Sequence, residues 1–454
     1  MHVTQLPSRL ALPCALAGVT LLPLGAHALD LTVTTTSDQF DGLCDAHCSL
    51  RDAVQTINLT VGSHRILLPT GTYTLTLPPA QDENGASVDD DDNLNGDLDL
   101  RGRVSLVGRG AGTTFIDAAR LDRVFEVMTG AALELDRVTL RNGLSSQGGG
   151  AIENHGVTTV RRSRVETSHS QSEGQASPGG GIANFGHLNL YTSTITGNGV
   201  SGASNAHGAG LYNAGTLFMR DSTLSENRGV DDSQIAMGGG LYNTGYADIA
   251  RSSFIRNSIT GSGGAIANTH VITLSNSTLS GNSSLGTYAA ISNGAIAGTQ
   301  GPWPEATLVH VTLADNTGGG LFNRGRILLR NSLIAGNRDA EGRMNNCQAE
   351  VTDYPLYRYR GLMVGIDEGN DEGTCPFDLF FEDVLTFTRL LHPLADNNGV
   401  TQTHGLRRGS PAVDAVLPGT CSVSHDQRGL TRPRDGNNDG GARCDVGAFE
   451  RAAY

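Results

Sequence analysis

Gly208-Ala-Gly-Leu-Tyr-Asn213 returns as Gly238-Gly-Gly-Leu-Tyr-Asn243, and the phrase recurs at Gly149 (GGAIEN), Gly179 (GGGIAN), Gly263 (GGAIAN), Asn293 (NGAIAG) and Gly318 (GGGLFN). Its third residue falls at 151, 181, 210, 240, 265, 295 and 320, in steps of 25 to 30 residues. Self-similarity at such a period marks a solenoid, in which each repeat packs on its neighbours. Each phrase leads into a short alternating run such as Thr216-Leu-Phe-Met219, and a second phrase closes the unit: Ser193 to Asn198 (STITGN), Ser222 to Asn227 (STLSEN), Ser277 to Asn282 (STLSGN). Strand-length runs of period two, cut by Gly and Asn and free of any 3.6-residue stripe, exclude helical repeats. They predict an all-β, right-handed parallel β-helix, with glycine at the corners. Roughly ten rungs at about 4.8 Å each give a body about 50 Å long.

The alternation also sorts side chains. With Leu211 and Asn213 inward, Tyr212 faces outward, and Tyr242 and Phe322 follow by the same rule. Stacked aromatic faces suit sugar rings, so these three are the candidate ligand-binding residues. The recurring Asn184, Asn213, Asn243, Asn268 and Asn323 predict a ladder of side-chain amides at an inner corner.

The chain repeat resembles that of the chlamydial polymorphic outer-membrane proteins, whose phrases GGAI and FxxN match Gly149 to Ile152, Gly263 to Ile266 and Phe254 to Asn257. That resemblance covers the repeat alone.

Upstream, Met1 to Arg9 holds one positive charge, Leu10 to Ala26 is mostly apolar, and Ala26-His-Ala28 offers the small residues of a cleavage site. Residues 1–28 are read as a secretory leader, and Pro13 and Pro23 argue against a permanent membrane span. Removal takes Cys14 and leaves Cys44, Cys48, Cys347, Cys375, Cys421 and Cys444. An even number in an exported chain predicts disulfides. Fifteen pairings are open, of which sequence neighbours are the simplest. The formal charge is −14, with no lysine, which excludes nucleic acid and anionic membranes as main partners. The expected state is a monomer.

Cys44 to Asn58 (CDAHCSLRDAVQTIN) places Leu50, Ala53, Val54 and Ile57 on one helical face, with Ser49 and Asp52 as the capping pair. Such a helix covers the open edges of a first rung. Cys48-Ser-Leu-Arg-Asp-Ala53 resembles the motif that names the CSLREA domain of bacterial exported β-helix proteins, with Asp52 in place of its Glu. Arg65 to Leu75, Val104-Ser-Leu-Val-Gly108, Thr114-Phe-Ile-Asp117 and Val124-Phe-Glu-Val127 read as the rungs that follow. At the other end, Leu394 to Gly399, Gly409 to Ala415, Asp426 to Gly429 and Cys444 to Glu450 together resemble the choice-of-anchor Q domain of bacterial surface proteins. The two resemblances imply an exported, cell-surface or extracellular bacterial protein. The division is a leader (1–28), an N-terminal cap with first rung (29–100), repeats (101–342) and a disulfide-bearing C-terminal cap (343–454).

Two acidic loops are candidate calcium sites. Asp91, Asn93, Asn95, Asp97 and Asp99 stand at positions 1, 3, 5, 7 and 9 of a calcium-loop pattern whose closing Glu is replaced by Gly102. Asp435, Asn437 and Asp439 repeat its start, and an Asn/Asp/Gly turn without metal explains the same residues.

HExxH, GxSxG and P-loop motifs are absent. Asp117, Asp136, Asp221, Asp248 and Asp315 are acids of the right type for a polysaccharide lyase or hydrolase, but they share no repeat position that gathers three of them. The leading expectation is therefore a non-catalytic binding or adhesion protein for glycans or matrix. The alternatives are a lyase or glycoside hydrolase working in the groove of the same solenoid, or a plain stalk. Converging acids on one face would decide for an enzyme.

Overall fold

The computed structural model describes residues 28–83, 88, 91–172, 177–202, 206–231, 235–285, 289–294, 303–350, 352, 356–367 and 375–452. Apart from Ala28, the expected leader lies outside them.

The chain is a right-handed parallel β-helix. One rung shows how. Leu211–Asn213 lies in sheet 1, Thr216–Arg220 in sheet 2, Thr223–Ser225 in sheet 3 and Arg228–Asp231 in sheet 4. Each strand pairs in parallel with its equivalent in the next rung, as Leu211↔Leu241 and Thr216↔Tyr246. Among the described residues sheet 1 has ten strands, from Leu98–Leu100 to Cys347–Ala349. Sheets 2 and 3 merge because Val271–Ser280 and Glu305–Ala314 run unbroken through the bend between them.

Leu211, Leu217, Met219 and Leu224 of the illustrated rung point inward and are fully buried, and their equivalents stack into one core along the axis. The glycine phrase is steric in origin. Gly238 has φ +72°, and a Cβ on Gly239 would meet the Gly264 carbonyl oxygen of the next rung at 2.4 Å. Bends between sheets 2 and 3 instead use non-glycine residues at positive φ, among them Arg162, Thr192, Asp221 and Arg251 (φ 47 to 52°). The serine that follows offsets this strain: the Ser222 hydroxyl accepts from the Ser193 amide, and that of Ser252 from the Ser222 amide.

The asparagines form two ladders. Asn154, Asn184, Asn213, Asn243, Asn268, Asn293 and Asn323 each donate an amide proton to the next, at 2.6 to 2.8 Å. Asn198 through Asn337 make a second ladder that ends on Asn346. Asn213 also donates to the Tyr246 carbonyl, so its removal strands buried groups on both neighbouring rungs. Asn213→Leu is expected to lower unfolding free energy by about 2–3 kcal/mol, at roughly 1–3 kcal/mol per stranded group. Urea denaturation checks this, and a loss below about 0.5 kcal/mol would remove the ladder from the account.

One repeat is out of place. Ile291–Asn293 pairs with Ile266–Asn268 and Leu321–Asn323, so Ala289 to Asn293 is the repeating phrase, not Asn293 to Gly298. Ala289 and Ala290 fill the second and third positions of the phrase, as Ala209 and Ala265 do in other copies, and residues 295–298 lie outside the described set.

Helix α1 (Leu50–Asn58) closes the first rung. Ser49 accepts from the Asp52 amide and Asp52 from the Ser49 amide, while Leu50, Ala53, Val54 and Ile57 are buried. Disulfides join Cys44 to Cys48, Cys347 to Cys375 and Cys421 to Cys444. The C-terminal tail, from Leu391 on, lies along the flank of the solenoid. Its Leu406, Ala412, Val416 and Val446 pack on the outward Ala314, Leu333, Ala335 and Met363 of sheet 3. Gln427 hydrogen-bonds Ser253 and Thr278, and the Ala448 amide donates to the Thr312 hydroxyl. No helix of the described residues is long and apolar enough to cross a membrane.

Candidate active site

The outward middle residue of each sheet 1 strand forms a single column. Read along the axis it is Asp99, Glu126, Glu153, Ala183, Tyr212, Tyr242, Ala267, Ser292, Phe322 and Gln348. Three acids therefore stack on consecutive rungs at the N-terminal end, about 4.8 Å apart. Asp91 reaches the same place from the acidic loop, and carboxylate oxygens of Asp91, Asp99 and Glu126 lie within 4.8 Å of one another.

Arg123 ties this group together. Its Nε donates to Asp97 at 2.8 Å, Nη2 to Glu126 at 3.0 Å and Nη1 to Glu153 at 2.5 Å. Glu153 in turn meets His155 Nε2 at 3.0 Å. Arg101 donates to the Asp91 carbonyl. Five carboxylates against two guanidiniums leave a net negative patch in which Asp99 is fully buried and Glu126 7 % exposed. Such crowding of like charge is relieved by a divalent cation. All-oxygen donors suit a hard ion such as calcium. The fit has a further sign. Asn93 is fully buried, its amide donates to Asp99 Oδ2 at 2.8 Å, and its Oδ1 has no hydrogen-bond partner among the described residues.

The loop does not wrap an ion in the manner its sequence pattern suggested. The carbonyls of Asn93, Asn95, Gly96 and Asp97 turn inward to the guanidinium of Arg51, at 2.7 to 3.4 Å, and Asp38 grips the other side of that guanidinium at 2.9 and 3.2 Å. A built-in cation thus occupies the focus of the loop carbonyls, and Asp97 is spent on Arg123. What remains to face outward is Asp91 and Asp99, with Glu126 as the third acid from the next rung. Asp435, Asn437 and Asp439 gather no such group. The Asp435 carboxylate accepts the amides of Asn438, Asp439 and Gly440, as in a tight Asx turn, and amides also hold Asp439 below the usual carboxylate range.

Four of the five other acids singled out in sequence are held in ion pairs. Asp117 pairs with Arg141, Asp136 with Arg162, Asp221 with Arg251 and Asp248 with Arg220, each across neighbouring rungs. In the tail, buried Arg432 donates to Glu450 and to the Asp445 and Gly447 carbonyls, while burial and the nearby Glu450 push Asp445 up to about 8. That network holds the tail together.

Beyond the acids the column becomes aromatic. His155 stacks on Phe185 with centroids 4.9 Å apart and planes 8° from parallel; Phe185 meets Tyr212 and Tyr212 meets Tyr242, both at 5.7 Å. His207 closes the series against Tyr242 at 4.6 Å. Tyr212 and Tyr242 are half-buried on the outer face, whereas Phe322 is 4 % exposed beneath Arg324.

No family model and no curated protein matches this chain. Solved structures with a similar fold include the pectate lyase Pel9A, at 14% identity and TM-score 0.47, covering 94% of this chain and 98% of that one. The PL6 family alginate lyase AlyGC is similar at 10% identity and TM-score 0.32, over 88% of this chain and 58% of that one. The A-module of the Azotobacter vinelandii mannuronan C-5 epimerase AlgE6 is similar at 14% identity and TM-score 0.31, over 77% and 92%. The strand register described above, rather than these likenesses, establishes the fold.

The expectation of a non-catalytic binding protein is corrected here. It rested on the lack of three acids converging on one outer face, and Asp91, Asp99 and Glu126 converge. Glu126, Glu153, Arg123, His155 and Phe185 carry no mark in the repeating phrase, and only position within the rung reveals them. The interval 99, 126, 153 is a regular 27 residues and carries the signal.

Proposed function

We propose that the chain is a cation-assisted enzyme of acidic polysaccharides, a lyase acting on a uronate residue bound over Asp91, Asp99, Glu126 and His155. The convergence of three carboxylates from a loop and two rungs, beside a part-exposed imidazole, carries this reading. A bound divalent cation would neutralise the uronate carboxylate and acidify the proton on the adjoining carbon. His155, 36 % exposed at its side chain and oriented by Glu153, is placed to accept that proton. The chain has no lysine to do so, and Arg123 is buried in three ion pairs that fix Glu126 and Glu153.

Export through the 1–28 leader, calcium as the ion, a monomeric state and kinship with the CSLREA and choice-of-anchor Q proteins belong to the same reading, and an extracellular polymer is its natural substrate. The test is incubation of the purified chain with a panel of uronate polymers, with calcium or with a chelator, following unsaturated uronide absorbance. Calcium-dependent unsaturated products that disappear in His155→Ala support the lyase. A folded, calcium-loaded chain that leaves every uronate polymer intact refutes it.

A further inference from the structure

Charge and aromaticity separate along the column of sheet 1. Every formal charge at its N-terminal end belongs to the acidic patch. From there to Ser292 the outer positions are Ala183, Phe185, Tyr212, Ala214, Tyr242, Thr244, Ala267, Thr269 and Ser292, none of them ionised. Among the described outer positions, charge returns at Arg324, which pairs with Glu350. Burial lowers His207, beside Tyr242, to about 4 against the opposing pull of the buried Asp231 carboxylate of sheet 4. Burial likewise raises Tyr242, which stays a neutral phenol.

A chain with a uronate on every residue would lay its next carboxylates over phenyl rings, with no guanidinium among the described outer positions of that stretch to receive them. Desolvating an unpaired carboxylate there is unfavourable. A neutral pyranose instead offers an apolar face to a ring and hydroxyls to Thr244 and Thr269. The rings touch one another in sequence, His155 to Phe185 to Tyr212 to Tyr242, over four successive rungs. At about 4.8 Å per rung the path is long enough for a short run of sugar residues laid parallel to the axis. Phe185, 39 % exposed, leans from its turn across the Ala183 rung, where the small side chain leaves the platform unbroken.

We propose that the substrate is a heteropolysaccharide in which uronate alternates with neutral sugars: the uronate sits over Asp91, Asp99 and Glu126, and its neutral neighbours stack on Phe185, Tyr212 and Tyr242. This rests on the cation centre described above and adds the class of polymer and the direction in which it lies.

The experiment compares polygalacturonate, a polymer of alternating galacturonate and rhamnose, and a neutral glucan of similar length. Affinity electrophoresis in calcium reads binding independently of turnover. The alternating polymer is expected to bind at least tenfold more tightly than either other. Phe185→Ala and Tyr212→Ala should each weaken that binding roughly tenfold, as suits one aromatic contact, with Tyr212→Trp restoring it. Equal or tighter binding of polygalacturonate, unaffected by both alanine variants, overturns the proposal while leaving the lyase intact. Selective, ring-dependent binding without turnover supports the proposal and sinks the lyase. Should Tyr212→Ala fail to fold, Phe185→Ala, at a half-open turn, decides alone.

Discussion

Glu126→Gln is expected to abolish calcium binding at low millimolar concentrations and to weaken it on the order of a hundredfold or more. The variant keeps the shape of the side chain and its place on the rung, and removes one of the three charges that converge with Asp91 and Asp99. A unit charge at about 4 Å is worth roughly 4 kcal/mol at an effective dielectric near 20. Even a half of that is more than a decade in affinity, and the cation carries two charges. The stability effect has the opposite sign. Without calcium the wild-type patch repels itself, so the variant should melt no lower than wild type. With calcium at a hundred times its dissociation constant, wild type gains about 2.7 kcal/mol and the variant gains little. Calorimetric titration and thermal unfolding, each with calcium and with chelator, give both halves. Asp435→Asn, in the C-terminal loop, should leave the titration as in wild type. A Glu126→Gln chain with an undiminished calcium increment would falsify the site.

Much of the fold is legible because the features that repeat are those each rung must satisfy for itself. An inward asparagine has no water, so its amide needs a partner on the next rung, and the same letter must recur at Asn184, Asn213 and Asn243. A glycine whose Cβ would strike the next carbonyl must recur for the same reason. The active site is under no such rule. Asp99, Glu126 and Glu153 share a position but sit in strands written LDL, FEV and IEN; the first two precede the glycine phrase, and the third closes its first copy, at a position the phrase leaves variable. Only the strand register shows that Tyr212 and Glu126 belong to one column. Asp91 is not on a rung at all, and its place depends on how a loop folds around a distant arginine. The disulfide-bearing C-terminal cap expected from the sequence is present, and its docking along the flank follows from the small outer residues of sheet 3, Ser253, Thr278, Thr312 and Ala314, which leave room for it.

That arginine yields the second large effect. Arg51→Met is expected to cost about 3–5 kcal/mol of unfolding free energy, the range for breaking a buried ion pair by removing one partner. Arg51 lies on α1 among apolar residues and is fully buried, and Asp38 is equally hidden. Methionine fills the volume but strands the carboxylate, which keeps only the Thr76 and Leu77 amides, and it removes the donors for four loop carbonyls. Lysine is no substitute, because a single ammonium cannot serve the Asp38 fork and the carbonyls together. Pairing Arg51→Met with Asp38→Asn should restore part of the loss, since the stranded charge is then gone. The loop carbonyls stay unserved in that double variant, however, so Asp91 and Asp99 lose their fixed spacing. Stability and function then separate: the double variant regains melting temperature but not calcium affinity, whereas a purely structural arginine would return both. Urea denaturation with calcium titration on the single and double variants distinguishes the two. A loss below about 1 kcal/mol in Arg51→Met, with calcium binding intact, would mean that α1 closes the first rung and has no part in shaping the cation site.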